Sequence, residues 1–303
     1  MRISDIYIYP VKSIRGIRLD SCEVGVTGLK YDRHWMLVEK EGLMVTQRQL
    51  PKMATIQTAL SSGQLILSHP EHGSLQVPLV SKDDLTVVPV QVWDDHCHGL
   101  SEGPVVSEWL TRVLGLYKGS PIRMVRFSDT SENRTSREVG PKYTHTGETM
   151  PYTHFADAFP MLVASRESLV ALNDALREKG ETQVLMDRFR PNIVFDECGG
   201  AFRELYDCSM TCDKYTVAVR KPCERCPIVR VDQQTGEFTS LREPLPTLIA
   251  LNPFRADWER LSAAEKERCP RTMRQKAPYF GGNALLIRGG GEVAVGDELV
   301  LTE

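Results

Sequence analysis

The run Met1-Arg-Ile-Ser-Asp-Ile-Tyr-Ile-Tyr-Pro-Val-Lys-Ser13 opens the chain and carries most of the decision about its fold. Ile3, Ile6, Ile8 and Val11, mixed with Tyr7 and Tyr9, are β-branched or aromatic residues that fit a pleated, half-buried surface. Pro10 closes the run, because proline cannot donate to a strand ladder. Working outward, comparable runs lie at Trp35–Val38, Gln64–Leu67, Leu75–Leu79 and Leu85–Val92, separated by Gly, Asp, Ser and Pro at hairpin intervals. Short strands at that spacing predict a small barrel or sandwich.

Two helices interrupt the pattern. Val105, Val106, Trp109, Leu110, Val113 and Leu114 recur at helical spacing between Pro104 and Gly115. Ser165 as N-cap, the stripe Leu169, Leu172 and Leu176, and Gly180 as stop predict the second. Strand-like runs return at Asn192–Phe195, Tyr215–Val219 and Ile228–Val231, and a short helix is expected over Ala263–Arg268. Ala284–Arg288, three glycines, Val293–Val295 and Leu299–Leu301 read as a terminal hairpin. The polar segment 127–154 is long for a structureless loop and is a candidate substrate entrance. The fold class is mainly β (α+β).

Composition narrows the function. The 303 residues carry 37 Lys+Arg against 40 Asp+Glu, a net charge of −3, with eight cysteines. Near-neutral charge speaks against a dedicated nucleic-acid binder. That cysteine content is far below a disulfide scaffold, and no apolar run reaches the ~20 residues of a membrane span. With no secretory h-region at the start, the expectation is a cytoplasmic protein with reduced thiols.

Cys208, Cys212, Cys223 and Cys226 form C-x3-C followed by C-x2-C. That spacing fits a four-cysteine zinc site, buried structural thiols, or one functional thiol. Cys226 is the sharpest candidate, because Arg225, Lys221 and Arg220 precede it and neighbouring cations favour thiolate. Three further clusters, Tyr9–Ser13, Tyr31–Trp35 and Phe189–Asn192, bring Lys12, Ser13, Arg33, Arg190 and Asn192 as a possible cradle for a phosphate or anionic heterocycle. No glycine-rich phosphate loop accompanies them. The seven histidines show no recognised metal spacing.

These clusters together resemble the MOSC-domain proteins that carry a MOSC N-terminal β-barrel domain. Within that group the likeness is to the amidoxime-reducing components and bacterial relatives that reduce N-hydroxylated compounds. The carrying stretches are Tyr-Pro-Val-Lys-Ser-Ile-Arg-Gly at 9–16, Asp-Arg-His-Trp at 32–35 and Val-Thr-Gln-Arg-Gln at 45–49. They continue with His-Phe-Ala-Asp-Ala-Phe-Pro at 154–160, Arg-Phe-Arg-Pro-Asn-Ile-Val at 188–194 and Cys-Glu-Arg-Cys-Pro at 223–227.

The resemblance implies an N-terminal β-barrel-like domain over 1–120 and a MOSC β-barrel domain over 121–303, with the cofactor where they meet. It implies a molybdenum cofactor, a Mo-pyranopterin, with Cys226 as thiolate ligand and catalytic centre. Lys12, Ser13, Arg33, Arg190 and Asn192 would bind pterin and phosphate, Glu224 and Arg225 would line the cofactor, and Asp157 and Ser165 would lie near it. The implied reaction is reduction of an N–O bond in a small N-hydroxylated substrate. No cysteine spacing here fits a plant-type iron–sulfur cluster, and none is expected in this chain. Electrons are therefore expected from a separate protein, a flavin reductase or small electron carrier, with no nucleic-acid or membrane partner. A cofactor carrier without turnover, and a zinc-stabilised structural protein, are the rival readings.

Overall fold

The computed structural model describes residues 1–81, 84–128, 134–135, 143, 152–255, 262 and 276–302. In chain order it begins with β1 (Arg2–Ile8), β2 (Ile17–Leu19), β3 (Ser21–Gly25), β4 (Gly28–Leu29) and β5 (Trp35–Val38). Next come β6 (Gln57–Ser61), β7 (Gln64–His69), β8 (Gly73–Pro78), β9 (Val87–Val92), β10 (Asp95–Ser101) and α1 (Pro104–Leu114). The second half holds β11 (Arg123–Phe127), β12 (Met161–Ser165), α2 (Arg166–Glu178), β13 (Ile193–Asp196), β14 (Cys208–Thr211) and β15 (Tyr215–Glu224). It closes with α3 (Leu245–Ala250), β16 (Tyr279–Gly289), β17 (Gly291–Ala294) and β18 (Val300–Thr302). The protein is mainly β with few helices, as the periodicity requires, and no helix among the described residues is long and apolar enough to cross a membrane.

The largest sheet has eight strands in the order β18-β14-β15-β16-β12-β13-β1-β2. β1 lies inside it, antiparallel to β13 with Ile6 opposite Ile193. That place accounts for the composition of the opening run, since Ile3, Ile6 and Ile8 all enter the core under this sheet. β12 and β13 pair in parallel, with α2 as the crossover between them. A second sheet orders β5-β11-β10-β9, so β11 joins strands of the first hundred residues. Strands from either side of residue 120 thus share sheets, and the two halves meet along a long seam.

Local sequence explains both long helices. Pro104 sits at the start of α1, where the missing N–H would be unpaired anyway, and Gly115 ends it with φ +80°. Ser165 caps α2 by accepting from the Ser168 backbone N–H, and Leu172 and Leu176 bury the apolar stripe.

The structure corrects several expectations. Ile228–Val231 is not a strand: Pro227–Arg230 forms a 3-10 turn, with proline at its first position removing a ladder donor. The chain end is not a hairpin. β17 pairs with β3 and β18 with β14, because Gly289, Gly290 and Gly291 all take positive φ and turn the chain away from β16. The helix expected over 263–268 lies outside the described residues, as does most of segment 127–154.

A buried ion pair ties β11 to the turn before α1. Arg126 grips the Glu102 carboxylate with Nε at 2.6 Å and Nη2 at 3.1 Å, and the Trp35 indole N–H donates to the same carboxylate at 2.7 Å. Removing one partner of such a pair leaves the other charge buried. Glu102→Gln should therefore lower the unfolding free energy by about 3–5 kcal/mol in urea titrations. Replacing Glu102 and Arg126 together by leucine should cost less than the sum of the two single changes.

Candidate functional site

The site is assembled at the end of β1. Tyr9 follows that strand with its backbone N–H donating to Asp32 at 2.8 Å and its hydroxyl to the Pro191 carbonyl at 3.1 Å. The Arg33 N–H donates to the Tyr9 carbonyl, and Lys12 and Trp35 pair main chains. The three sequence clusters around residues 9–13, 31–35 and 188–192 are therefore neighbours. Gly16 is required beside them, because a Cβ there would come within 2.5 Å of the Tyr9 ring.

Both Arg33 and Arg190 lie over that buried ring, at 4.4 and 4.2 Å from its centroid. Arg33 is held by Asp32 at 2.5 Å, by the Asn192 amide oxygen at 3.0 Å and by the Arg190 carbonyl at 3.2 Å. Asn192 also accepts from the Leu162 N–H and donates to the Tyr7 carbonyl, so its amide positions Arg33. Arg190 is different. Both its terminal nitrogens are buried without a hydrogen-bond partner among the described residues. Burial pushes Arg190 down to about 10, well above neutral pH, so it remains a cation.

Ser13, Arg33, Trp93 and Arg190 all carry positive φ without being glycine. Such conformations cost free energy and cluster where a site imposes them.

These residues line one cleft of about 340 Å³. Lys12, Ser13, Arg33, Asp157, Arg190, Asn192, Glu224, Arg225 and Cys226 all border it, drawn from both halves of the chain. Buried Lys12 ion-pairs with Asp157 and donates to the Phe155 carbonyl at 2.8 Å. That ammonium holds the Asp157 carboxyl well below the usual carboxylate range. Ser165, expected near the cofactor, does not line the cleft. Besides capping α2 it donates to the buried carboxylate of Glu204 at 3.1 Å.

Cys226 is positioned by irregular backbone. The β15–β16 ladder slips between Val219 and Lys221 and again between Pro222 and Glu224, and bulges of this kind re-aim side chains. Arg225 does not serve Cys226: its Nη1 lies 3.1 Å from Cys223 Sγ. Arg220 pairs instead with Asp207. The cation on Cys226 is Arg48, with Nη2 3.1 Å from Sγ, reaching across 178 residues of sequence. Sequence reasoning missed this role, although Arg48 lay within the quoted stretch 45–49. It missed Trp93 altogether.

The four-cysteine zinc reading does not survive. Cys208 lies in the core beneath the large sheet and Cys212 packs against it. Among the described residues the four sulfurs form no cluster that could hold a metal. Burial pushes the Cys208 thiol up to about 11. One histidine cluster does exist, contrary to the spacing argument. His69, Glu71 and His72 bring donor atoms within 4.8 Å on the β7–β8 turn, away from the cleft. His69 Nδ1 there already accepts from the Glu71 N–H at 3.3 Å.

The fold and cleft define a two-part β protein with a sulfur and a cationic cradle at the seam. Residues 1–116 match the MOSC N-terminal beta barrel domain, and residues 151–300 match the MOSC domain. Mitochondrial amidoxime-reducing component 1 of Danio rerio is 30% identical over 250 residues, 81% of this chain and 73% of that protein. Its Xenopus laevis counterpart is 33% identical over 255 residues, covering 81% and 70% of the two chains. The Homo sapiens protein of that name is 28% identical over 303 residues, covering 99% and 82%. This chain belongs to the MOSC-domain proteins, in the family of the amidoxime-reducing components.

Behind Arg33, His34 is buried against the Trp35 and His154 rings. Burial, with His154 and Arg126 nearby, pushes its imidazole down from 6.5 to about 3. Between those values the unfolded chain binds a proton that the folded chain does not. Stability should therefore fall with acidification across that window by about 1.4 kcal/mol per pH unit from this residue. Denaturation of wild type and His34→Gln at several pH values should show that slope shrinking in the variant.

Proposed function

We propose that this chain is a molybdenum-cofactor-dependent reductase that removes oxygen from N-hydroxylated substrates such as amidoximes, hydroxylamines and N-hydroxylated bases. In this reading Cys226 is the thiolate ligand. The observation that carries it is the coincidence, in one cleft, of a half-buried sulfur with a cation whose buried donors have no hydrogen-bond partner among the described residues. An uncompensated buried guanidinium is costly, and an anionic group of a ligand would supply its missing acceptors.

The cofactor fits these residues. Arg190 presents two free donors, and Arg33 beside it is already oriented by Asp32 and Asn192. Lys12 and Ser13 border the same space, with Glu224 and Arg225 next to the sulfur in sequence and on the cleft wall. A soft thiolate suits a transition metal, while hard oxyanions suit the arginines. When bound, the cofactor supplies two-electron oxygen-removal chemistry that no side chain here can perform. Overall, the N–OH group takes two electrons and two protons, the N–O bond breaks, and water leaves with the amine or amidine.

The protein's own contribution is binding and orientation. Of the polar residues Tyr152, His154 and Asp157 in the stretch before β12, Asp157 lines the cleft, and its carboxylate is tied to the Lys12 ammonium. That carboxylate, held well below the usual range, carries no proton at neutral pH, so the Lys12–Asp157 pair sets charge and geometry at the cleft wall. Electrons would come from a separate flavin reductase or small electron carrier.

Protein from a cofactor-competent host should contain molybdenum and pterin. Cys226→Ser should lose molybdenum and all turnover of benzamidoxime with reduced viologen. Arg190→Met should release pterin on gel filtration, while Arg190→Lys should retain part of it. Full molybdenum with no turnover in the wild type would favour the carrier reading. Protein without molybdenum would sink both.

A further inference from the structure

Trp93 occupies a position that its residue type does not favour. It is the first of two residues linking β9 to β10, where Val92 pairs with Asp95, and it has φ +54°. Glycine is the ordinary residue at such a position in a tight hairpin. A large aromatic side chain there is strained, and it stays 44% exposed.

What the indole does instead is make directed contacts at the cleft. Its Nε1–H donates to Asp157 at 3.0 Å. Its ring carries the Arg48 guanidinium at 4.5 Å from the centroid. The same guanidinium reaches Cys226 Sγ at 3.1 Å. A chain of contacts therefore runs from a solvent-exposed ring, through Arg48, to the sulfur. Each link is a side-chain contact, of the kind a rotamer change can open.

We propose that Trp93 and Arg48 form a cover over Cys226, with Trp93 as the residue that sets the size of molecule admitted to the sulfur. The cover is closed by the indole–carboxylate bond, the stack, and the guanidinium–sulfur contact. It opens when the two side chains swing outward. Its consequence for substrate choice rests on the reductase reading, whereas the cover itself does not.

The test uses the full-length chain from a host that cannot make the cofactor. Cys226 is labelled with N-ethylmaleimide or with a bulky fluorescein maleimide. Both reagents attack the same sulfur by the same chemistry, so the ratio of their rates reports access and the thiolate fraction cancels. Trypsin cleaves after Arg220, Arg225 and Arg230, placing Cys223 and Cys226 in separate peptides. Cys223 is then an internal control.

A cover open roughly a tenth of the time slows the bulky reagent by about tenfold. Trp93→Asn, which suits the turn, and Arg48→Ala should each raise the bulky-to-small ratio at Cys226 by about that factor. The ratio at Cys223 and the melting temperature should stay as in wild type. An unchanged ratio at Cys226, or an equal rise at both cysteines, overturns the proposal.

In cofactor-loaded protein, Trp93→Asn should raise kcat/KM for a bulky amidoxime relative to acetamidoxime. If the labelling ratio moves but wild-type protein holds no molybdenum, the cover stands and the reductase reading fails. If the ratio does not move while turnover is normal, the reverse holds.

Discussion

One buried ring organises this protein's cleft. Tyr9 sits at the end of the first strand with two guanidinium groups over it, from Arg33 and Arg190. Two like charges so close would repel, and each alone would lose hydration by burial. The ring's electron-rich face, the Asp32 carboxylate and the Asn192 amide make the arrangement tolerable for Arg33. Among the described residues the outer nitrogens of Arg190 find no hydrogen-bond partner, and the proposed anion site rests on that imbalance. Because Tyr9 also bonds the Pro191 carbonyl and accepts from the Arg33 N–H, the same residue joins three distant stretches of chain.

The sheets enforce that meeting. β1 is inserted between β2 and β13, so the residues just beyond it emerge beside Arg190 and Asn192. On the opposite wall, slips in the β15–β16 ladder bring Cys223 and Cys226 to the cleft. The site is thus rigid where it holds cations and irregular where it presents sulfur. At its outer edge the side chains of Trp93 and Arg48 are joined to each other and to the cleft by side-chain contacts.

Much of the fold was legible in the sequence, and for a local reason. The β1 run, Trp35–Val38, the α1 stripe between Pro104 and Gly115, and Ser165 as the α2 cap all follow from periodicity and end chemistry within a few residues. Where local signals misled, a neighbour decided otherwise. Ile228–Val231 alternates like a strand, yet Pro227 starts a 3-10 turn. The final strands look like a hairpin, yet β3 and β14 offer them better partners. Ser165, placed near the cofactor by family resemblance, caps α2 and turns its hydroxyl to Glu204 rather than to the cleft.

The sequence by itself determined the mainly β class, the family, and the cationic and sulfur residues that border the cleft, because residue type and short-range order are written in the chain. The tertiary structure alone decided which cation serves which sulfur. Arg225, adjacent to Cys226, turns to Cys223, and Arg48 reaches Cys226 from far away in sequence. It also decided that, among the described residues, the terminal nitrogens of Arg190 lack the hydrogen-bond partners that Arg33 has, and that a strained Trp93 borders the cleft. Pairing and burial depend on strand order and register, and those are set by the whole sheet rather than by any stretch of it.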